Sequence, residues 1–558
     1  MAAHLDVEKI KADSRQLRGS LAISLKDPTT GSVAEADTVI TKFHGIYQQD
    51  DRDQREARRE ARLEPAYSFM IRVRVPGGVI TPDQWLALDD LASDVANGTI
   101  RITTRQAVQF HGVAKEDLAG LIQRIDAVLM DSLAACGDVN RNVMCHVQPE
   151  AGPVHAEALA WARRLSEHLT PRTGAYREIW IDGEKVAGSE PEEEPIYGKT
   201  YLPRKFKSGI AIPPVNDIDI FSQDLGFIAI ADGDRLLGFN VTVGGGLGCT
   251  HGEPETFPRL ADVIGFIEPD QVLALAETVV TIQRDFGDRS NRKHSRFKYT
   301  IDDRGIEWLV TELEQRAGVR LQPARDFAFE SNGDCYGWQV MRDGRWQLTL
   351  FVENGRLLPG PRAGLRRIAA TLAGDIRLTP NQNLVIAGVA AERRQEVDRL
   401  VTEYGLEGVK PPSPLRRNAM ACVALPTCGL AMAEAERYLP DLVTRIEELA
   451  ERHGVAERPI TIRMSGCPNG CSRPYLAEIG LVGRAPGRYN LYLGAAFDGS
   501  RLNRLDLDNA DEAGILDRID GLFARYAEQG DDKEHFGDFL VRSGVIEAVV
   551  HGSEVNRR

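Results

Sequence analysis

The segment IRITTRQAVQFHGV at residues 100–113 decides the fold, because it occurs twice. It recurs as IRLTPNQNLVIAGV at residues 376–389, and the block RNVM at Arg141 recurs as RNAM at Arg417. Both pairs are displaced by the same 276 residues, 376 minus 100 and 417 minus 141. Two ungapped matches at one displacement indicate an internal duplication.

A strand and a helix precede each copy of this segment. In the first copy, Thr81, Pro82 and Gln84 have the pattern of an N-cap, a first-turn proline and a capping-box glutamine. In the second copy, Pro361 is predicted to start the helix. The repeated unit is therefore strand, helix, strand.

A fainter repeat lies further along each half. KFKSG, beginning at Lys205, is echoed by IRMSG, beginning at Ile462, with a displacement of 257 residues. In this alignment Lys205 and Lys207 correspond to Ile462 and Met464, so that the first copy has positive charge where the second is followed by cysteines. We infer that one half supplies anion-binding groups and the other supplies metal ligands. A pseudo-twofold arrangement would bring both sets together at its axis.

The metal ligands are four cysteines in two close pairs, which make up half of the 8 cysteines in the chain. They are Cys422 and Cys428 in ACVALPTC, and Cys467 and Cys471 in SGCPNGC. Four thiolates suit a tetrahedral zinc or an iron–sulfur cluster. The gap of five residues in the first pair is wider than structural zinc pairs use, and it favours a cluster, whose iron corners lie further apart. The turn residues inside the second pair argue against two pairs of buried thiols.

Three basic clusters stand out in a chain with a net charge of −14. Because side chains alternate along an extended strand, each cluster places charges on one strand face. A solvated face is the usual explanation of such charges, but the opposite faces are hydrophobic, and three clusters in an acidic protein favour an anion site. The clusters are Arg72 with Arg74, Arg101 with Thr103 and Arg105, and Arg204 with Lys205 and Lys207.

Composition limits the class of protein. A chain of 558 residues, 42% hydrophobic and 27% charged, predicts a globular protein of three or more domains. Its apolar runs are too short for a membrane span, and its acidic balance argues against a nucleic-acid partner. The first residues do not resemble a signal peptide, so we expect a cytoplasmic protein, in which clustered cysteines bind metal more often than they form disulfides.

Longer motifs carry a family resemblance over nearly the whole chain. Besides the pattern C-x5-C…C-x3-C, the sequence contains NRN, PRKFK, FHGIYQQDDRD, EIWIDGEKVA, NDIDI, VGGGLG, AMAEAERYLP and LVGRAPGRYNLYLG. With its twofold repeat it resembles the siroheme- and 4Fe-4S-containing sulfite and nitrite reductase family. Within that family it is similar to the hemoprotein (beta) subunits of assimilatory NADPH-dependent sulfite reductases.

The resemblance implies an α+β fold of duplicated, pseudo-twofold type. Two ferredoxin-like half-domains and two larger α/β domains would surround a siroheme–cluster site. The implied divisions are an N-terminal extension (1–64), a first half-domain (65–134), a first siroheme- and anion-binding domain (135–335), a second half-domain (336–409) and a 4Fe-4S and siroheme domain (410–558).

The resemblance also implies two cofactors and their ligands. The four cysteines would hold a 4Fe-4S cluster, and Cys471 would also be the axial ligand of the siroheme iron. Siroheme carries eight carboxylates, for which guanidinium groups are suitable partners. The residues implied at the siroheme are Arg101, Thr103, Arg105, Gln109, His111, Asn142, Arg204 and Asn469.

Arg72, Arg141, Lys205 and Lys207 are implied as the anion-binding set on the opposite face of the siroheme. Preorganised positive charge stabilises a bound anion and the negative oxygen that develops as an S–O bond breaks. Neighbouring cations and burial lower the pKa of lysine, which makes Lys205 and Lys207 candidate proton donors.

The implied activity is the six-electron reduction of sulfite to sulfide in cysteine biosynthesis. No flavin or NADPH domain is evident, so we expect a separate flavoprotein (alpha) subunit that carries FAD and FMN and uses NADPH, or alternatively a ferredoxin. A nitrite reductase of the same fold is the main alternative, although relatives of that type tend to have Asn where this chain has Lys207. A zinc-stabilised binding protein without redox activity is the alternative from another class.

Overall fold

The computed structural model describes residues 6–147, 152–172, 179–181, 184–187, 193–407 and 412–557. The strands of the first half of the chain are β1 (Ile46–Asp50), β2 (Tyr67–Val73), β3 (Val79–Ile80), β4 (Ile100–Ile102), β5 (Val108–Val113), β6 (Met144–Cys145), β7 (Ile179–Ile181), β8 (Glu184–Ala187), β9 (Ser208–Ala211), β10 (Leu225–Asp232), β11 (Arg235–Val243) and β12 (Asp262–Ile267). Those of the second half are β13 (Gly337–Val340), β14 (Trp346–Leu350), β15 (Arg356–Leu357), β16 (Asp375–Leu378), β17 (Leu384–Val389), β18 (Ala419–Ala421), β19 (Ile462–Ser465), β20 (Ile479–Ala485), β21 (Arg488–Leu493) and β22 (Arg504–Ala510).

Helices lie between and around these strands. Those of the first half are α1 (Val7–Asp13), α2 (Leu21–Ser24), α3 (Asp37–Ile40), α4 (Arg55–Glu60), α5 (Pro82–Asp94), α6 (Leu118–Asp126), α7 (Pro153–His168), α8 (Val272–Phe286), α9 (Phe297–Arg304) and α10 (Ile306–Ala317). Those of the second half are α11 (Pro359–Thr371), α12 (Arg394–Glu403), α13 (Pro414–Arg417), α14 (Leu439–Arg452), α15 (Glu512–Gln529) and α16 (Phe536–Arg542). In the described part of the chain, no helix combines the length and apolar character needed to cross a bilayer.

The two repeats found in the sequence form two five-stranded sheets that exchange strands. The first sheet has the order β1-β2-β5-β4-β15, and the second has the order β13-β14-β17-β16-β3. The short strand β3 follows β2 in the chain but pairs with β16, whereas β15 follows β14 but pairs with β4. The two half-domains therefore share one hydrophobic core. The α+β fold and the duplication predicted from the sequence are confirmed.

Reciprocal hydrogen bonds mark the pseudo-twofold relation between the half-domains. Gln106 donates from Nε2 to the carbonyl oxygen of Leu378 at 2.9 Å, and Gln382 donates from Nε2 to that of Ile102 at 3.2 Å. Each glutamine corresponds to the other at the displacement of 276, as each acceptor does. Both glutamines have a left-handed backbone, with φ of 50° and 69°.

The helix predicted from the capping box is confirmed. Thr81 accepts the backbone N–H of Gln84, Pro82 is the first helical residue, and Trp85 is fully buried against the sheet. The matching helix α11 begins two residues before the predicted Pro361, at Pro359. Both prolines fall in the first turn, where a missing N–H costs no helical hydrogen bond.

The two larger domains also repeat one topology. Their sheets have the orders β12-β11-β10-β9-β6 and β18-β19-β20-β21-β22, which are the same when read in opposite directions. In each sheet the first three strands in chain order are parallel and the last two are antiparallel to their neighbours. Each sheet packs its helices over its own hydrophobic core.

Matching buried carboxylates define the register of this second repeat. The backbone N–H of Lys207 donates to Asp224 Oδ2 at 3.0 Å, and that of Thr461 donates to Glu478 Oε2 at 2.8 Å. Both pairs are displaced by 254 residues, 461 minus 207 and 478 minus 224. Lys207 therefore corresponds to Thr461.

The alignment of KFKSG with IRMSG is wrong by three residues. Lys207 does not correspond to Met464, and Ile462 corresponds to Ser208, the first residue of β9, rather than to Lys205. The identical Ser-Gly dipeptides produced the false register, because a two-residue identity is weaker evidence than the pairing of neighbouring strands.

The segment predicted as an N-terminal extension contacts three domains. Its strand β1 forms the edge of the first sheet, antiparallel to β2. In α1, the buried Lys11 donates to the carbonyl oxygen of Leu202 at 2.8 Å and lies 3.5 Å from Asp138 Oδ2. Arg52 Nη1 donates to the carbonyl oxygen of Ala431 at 2.6 Å, so residues of this segment pack against the first half-domain and both larger domains.

Candidate active site

One face of the first sheet carries four of the residues predicted to bind an anionic cofactor or substrate. Arg72 and Arg101 both lie opposite Gln109, on β2 and β4 respectively. His111 follows Gln109 by two residues on β5 and so shares its face. Arg74, which was predicted to share a face with Arg72, lies beyond the end of β2 and pairs with Asp131 at 2.6 Å, so it is not part of this group.

The polar atoms of this face are only partly satisfied. With the Gln109 amide oriented so that its oxygen faces Arg72, the oxygen accepts from Nε at 3.2 Å and from Nη2 at 2.6 Å. His111 is buried, and neither of its ring nitrogens has a hydrogen-bond partner in the structure. Burial and the nearby Arg356 and Arg101 hold the pKa of His111 well below its usual value. The neutral imidazole is therefore available to a group placed against the face.

Arg101 joins this face to the first cysteine. Its guanidinium lies 3.2 Å from Glu436 Oε2 and donates to the carbonyl oxygen of Ala421 at 2.9 Å, one residue before Cys422. Arg101 is almost fully buried, and these contacts engage its Nε and Nη2 groups. Arg101 can therefore position β18, the strand directly before Cys422, as well as contribute charge.

Arg105, Asn142 and Thr103 shape the turn at the end of the face. Arg105 Nη2 donates to the carbonyl oxygens of Asn142 at 2.5 Å and Ser208 at 3.1 Å, while its buried Nε has no partner in the structure. The Asn142 side chain donates to the carbonyl oxygen of Arg105 at 2.8 Å, and the Thr103 hydroxyl accepts the Arg105 N–H at 3.2 Å. The side-chain amide of Asn142 is therefore largely used in hydrogen bonds within the protein.

Arg72 and Arg141 converge on a second turn. Arg72 Nη1 lies 3.1 Å from Cys136 Sγ, and Arg141 Nη2 donates to the carbonyl oxygen of Gly137 at 3.0 Å. The phenol of Tyr47, on β1, lies beside both guanidinium groups, and burial raises the pKa of this phenol. Two strands and the loop before β6 thus bring two positive charges together.

Arg204, Lys205 and Lys207 complete a group of cations that are not paired with carboxylates. None of the three side chains makes a hydrogen bond or an ion pair with the described residues. Burial, followed by the charges of Arg204 and Arg296, lowers the pKa of Lys205 to about 7. Burial and the charge of Arg105 likewise hold the pKa of Lys207 well below its usual value. An anion bound among these groups would favour their charged forms.

Sequence reasoning missed three charged residues beside this group. Arg296 lies 3.1 Å from Asp224 Oδ2, the oxygen that also accepts the Lys207 N–H. Lys298 is buried and donates to the carbonyl oxygens of Gly246 and Gly248, both at 2.9 Å. These bonds hold the glycine-rich loop at residues 244–248. The run RFK at 296–298 repeats the alternating charges of KFK, and this pattern could have revealed Arg296 and Lys298.

The cysteines lie at the carboxyl ends of the neighbouring parallel strands β18 and β19. Cys422 directly follows β18, and Cys467 comes two residues after β19 ends. The N–H of Gly466 donates to Cys422 Sγ at 3.3 Å, and Asn469 Nδ2 donates to Cys467 Sγ at 3.6 Å. Because parallel strands end at one edge of their sheet, the two pairs share one location.

The four thiols form one electrostatic group. Burial and the charge of Cys471 raise the pKa of Cys428 and of Cys467, the latter to about 11, and they raise that of Cys422 further. Cys471 itself is exposed. Among the residues that the structure describes, no three His, Cys, Asp or Glu side chains converge as needed to hold a single metal ion.

The thiol group faces the cation group. The Thr104 hydroxyl donates to the carbonyl oxygen of Cys471 at 2.9 Å, and the charge of Cys471 acts on Lys205. The N–H of Cys249 donates to the carbonyl oxygen of Pro468 at 3.0 Å, which links the glycine-rich loop to the CPNGC turn. Groups from both repeats thus meet, as the predicted division of the task between the two halves requires.

The residues present fit siroheme and a 4Fe-4S cluster. Buried histidine and arginine nitrogens without partners, and cations without carboxylates, suit a strongly anionic group. An exposed thiol at the border of a four-thiol group suits a ligand shared between a cluster and a second metal centre.

Known protein families match both types of domain. Residues 62–128 and 339–404 match the family described as the nitrite/sulfite reductase ferredoxin-like half domain. Residues 160–321 match the family described as the nitrite and sulphite reductase 4Fe-4S domain. The four cysteines lie outside that match, in the second copy of the same sheet topology.

Similar proteins cover nearly the whole chain. Proteins named sulfite reductase [NADPH] hemoprotein beta-component are 60% identical in Myxococcus xanthus, over 97% of this chain and 97% of that one, and 56% identical in Oceanobacillus iheyensis, over 98% and 96%. The solved structure of the Mycobacterium tuberculosis NirA protein is 24% identical over 96% of this chain and 95% of that one, and its TM-score of 0.77 indicates the same fold. The chain belongs to the nitrite and sulfite reductase family.

Proposed function

We propose that this chain reduces sulfite to sulfide, as the hemoprotein component of an assimilatory NADPH-dependent sulfite reductase. The observation that carries the proposal is the meeting of four thiols with a group of cations that have no carboxylate partner. A redox centre and an anion site in contact are what a multi-electron reduction of an anion needs. The naming of the relatives in Myxococcus xanthus and Oceanobacillus iheyensis supports the same activity.

Cys422, Cys428, Cys467 and Cys471 would hold the 4Fe-4S cluster. Cys471 is the best placed of them to ligate the siroheme iron as well, because it is the exposed thiol and its carbonyl is fixed by Thr104. Asn469 would tune the reduction potential of the cluster through its hydrogen bond to Cys467.

The siroheme carboxylates would be bound mainly by groups that have free polar atoms. These are the ring nitrogens of His111 and the Nε of Arg105, which have no hydrogen-bond partner in the structure. Arg204 joins them as a largely buried guanidinium. Arg101, Thr103, Gln109 and Asn142 have most of their polar atoms committed to the protein, and they would act chiefly by holding the binding surface in place.

Arg72, Arg141, Lys205 and Lys207 would bind sulfite beside the siroheme. When bound, the siroheme and the cluster supply single electrons to the substrate, and the protein supplies charge, orientation and protons. The two guanidinium groups remain charged and would orient the substrate oxygens. The lysines, whose pKa values are lowered, would pass protons from Nζ to oxygens that leave as water.

The electron donor is proposed to be a flavoprotein subunit with FAD and FMN that oxidises NADPH, in accordance with the names of the relatives. A ferredoxin is the alternative. A cytoplasmic location is also proposed, since cluster thiolates persist where thiols stay reduced.

Anaerobic purification after coexpression with a siroheme synthase tests the proposal. We expect a coloured protein that contains siroheme and acid-labile sulfide and forms sulfide from sulfite with reduced methyl viologen. A colourless protein that binds only zinc under these conditions would contradict it.

A further inference from the structure

Arg473, two residues after Cys471, has an unusual position that its place in the sequence does not explain. It is 5% exposed, and its backbone is left-handed with φ of 59°. An extended or helical backbone costs less for a residue with a Cβ, so surrounding contacts must maintain this conformation. Its neighbour Ser472 is fully buried and is held by the hydroxyl of Ser465 at 2.7 Å.

The guanidinium of Arg473 reaches both half-domains. Nη1 donates to the carbonyl oxygen of Thr104 at 3.1 Å, and Nη2 donates to that of Pro380 at 3.0 Å. Thr104 and Pro380 correspond to each other at the displacement of 276. One side chain of the cluster domain therefore bridges the same turn in the two repeats.

Asp219 forms an ion pair with the third edge of this guanidinium. Its Oδ2 lies 2.6 Å from Arg473 Nε and 2.6 Å from Arg463 Nη1. Asp219 corresponds to Arg473 at the displacement of 254, and it too is left-handed, with φ of 47°. Two corresponding residues can contact each other only near the axis that relates them, so Arg473 lies at the pseudo-twofold axis.

The same turn also holds Cys471 directly. The Thr104 hydroxyl donates to the carbonyl oxygen of Cys471, while the Thr104 carbonyl accepts from Arg473. Cys471, Arg473 and Thr104 thus form a closed set of contacts between the CPNGC turn and the first half-domain. That half-domain carries Arg72 and the rest of the polar face.

We propose that Arg473 is a positioning residue that fixes the Cys471 thiol relative to the face of the first half-domain. The inference rests on the proposed function and deepens it: four cysteines suffice to assemble a cluster, but coupling to a second metal centre requires one thiol at a defined distance from the other domains. A planar guanidinium with several donors can span two carbonyls and a carboxylate, and a lysine ammonium cannot span all three.

The chain offers a matched control. Arg463 is equally buried and pairs with the same oxygen of Asp219, but its side chain has no hydrogen bond to either half-domain turn in the structure. Arg473→Gln and Arg463→Gln each remove one buried charge from Asp219. Only the first also removes the bridge between Thr104 and Pro380.

The experiment compares purified holoenzymes with both substitutions, together with Arg473→Lys and Thr104→Val. Acid-labile sulfide reports the cluster, extracted siroheme reports its loading, and low-temperature EPR reports the coupling between the two centres. For Arg473→Gln we expect an unchanged content of acid-labile sulfide. The fraction of protein in which siroheme and cluster are coupled should be about tenfold smaller, as for the loss of one charge-assisted hydrogen bond. Arg463→Gln should keep the coupling, Arg473→Lys should restore part of it, and Thr104→Val, which preserves side-chain shape, should lower it without loss of folding.

Equal coupling in Arg473→Gln and Arg463→Gln, with wild-type coupling in Thr104→Val, would overturn the proposal. Loss of acid-labile sulfide together with loss of coupling in Arg473→Gln would also overturn it. Arg473 would then support assembly of the cluster rather than the position of the Cys471 thiol. A wild-type protein without siroheme, cluster or sulfite reduction would instead refute the proposed function.

Discussion

Asp217 lies in the first repeat at the position that Cys471 occupies in the second. The two residues are displaced by 254, the register that the paired strands define. His146 corresponds to Cys422 at the displacement of 276, and it forms a buried pair with Asp217 at 2.9 Å. Where the second repeat has two of the proposed cluster ligands, Cys422 and Cys471, the first has a hydrogen-bonded histidine and aspartate. This explains why a duplicated fold would hold one cluster.

Replacement of Cys471, the proposed shared ligand, tests the arrangement of the two centres. We expect Cys471→Ser to abolish sulfite reduction and to remove the coupling between siroheme and cluster, because oxygen is a poorer bridging ligand for these irons than thiolate. Visible spectra and low-temperature EPR of the purified variant measure this. Wild-type coupling and turnover in this variant would show that Cys471 is not the bridge.

The four cations should act on the anion rather than on folding. Alanine at Arg72, Arg141, Lys205 or Lys207 should leave a soluble, pigmented protein whose sulfite turnover falls by roughly 10- to 1000-fold, the scale of one preorganised electrostatic contact. Losses in double variants should not add, because the groups share one ligand. If a variant loses its pigment, the residue that was changed binds the siroheme instead.

Lys207 should favour sulfite over nitrite. Sulfite has more charge to neutralise and more oxygens to protonate than nitrite, and Lys207→Asn removes a cation and a proton donor but keeps a polar group. We expect kcat/KM to fall much more for sulfite than for nitrite, measured with reduced methyl viologen as donor. An equal fall for both anions would assign the discrimination to the shape of the pocket or to Arg72 and Arg141.

The lysine group should produce a pH dependence. The pKa of Lys205 is lowered to about 7, so its protonated fraction decreases as pH rises through this region. Because kcat/KM reports the free enzyme, its decline for sulfite should occur near pH 7. The decline of kcat should occur at higher pH, since the bound anion favours the charged lysine. Lys205→Arg keeps its charge and should weaken this decline. The titration of sulfite itself is common to both enzymes, so identical profiles would exclude Lys205 as the titrating group.

The strand-exchanged half-domains should depend on Gln106 for stability. Its Oε1 accepts the Cys145 N–H at 2.9 Å, and its Nε2 donates to the carbonyl oxygens of Cys145 at 2.8 Å and Leu378 at 2.9 Å. Gln106→Ala leaves these buried groups unpaired, at a cost of about 1–3 kcal/mol each. Urea unfolding of the protein without cofactors measures the change, and Gln123→Ala on the surface of α6 is the control. Equal stability of both variants would contradict this role.

Much of the fold followed from the repeat, because an ungapped match of fourteen residues carries two strands and the turn between them together. The exchange of β3 and β15 between the sheets did not follow, since two-residue strands leave no periodic pattern. The register of the larger domains was wrong for a similar reason: the conserved geometry lies in backbone bonds to Asp224 and Glu478, whose identities differ.

The candidate site was predictable where residue type reveals chemistry. Clustered cysteines, and lysines that alternate on a strand, can be recognised without a structure. Which polar atoms remain free cannot: His111 is unpaired while Asn142 is almost fully bonded, and only the tertiary contacts distinguish them. Arg473 was missed because its contacts come from residues more than ninety positions away.

The stoichiometry of sulfite reduction tests the central claim most directly. Reduced methyl viologen consumed and sulfide formed are measured together, under anaerobic conditions, with protein whose siroheme and acid-labile sulfide have been quantified. Sulfur passes from the +4 to the −2 state, so the account predicts six electrons per sulfide, with activity proportional to the siroheme content. Protein that contains both cofactors but forms no sulfide from sulfite, or that reduces only nitrite, would contradict it.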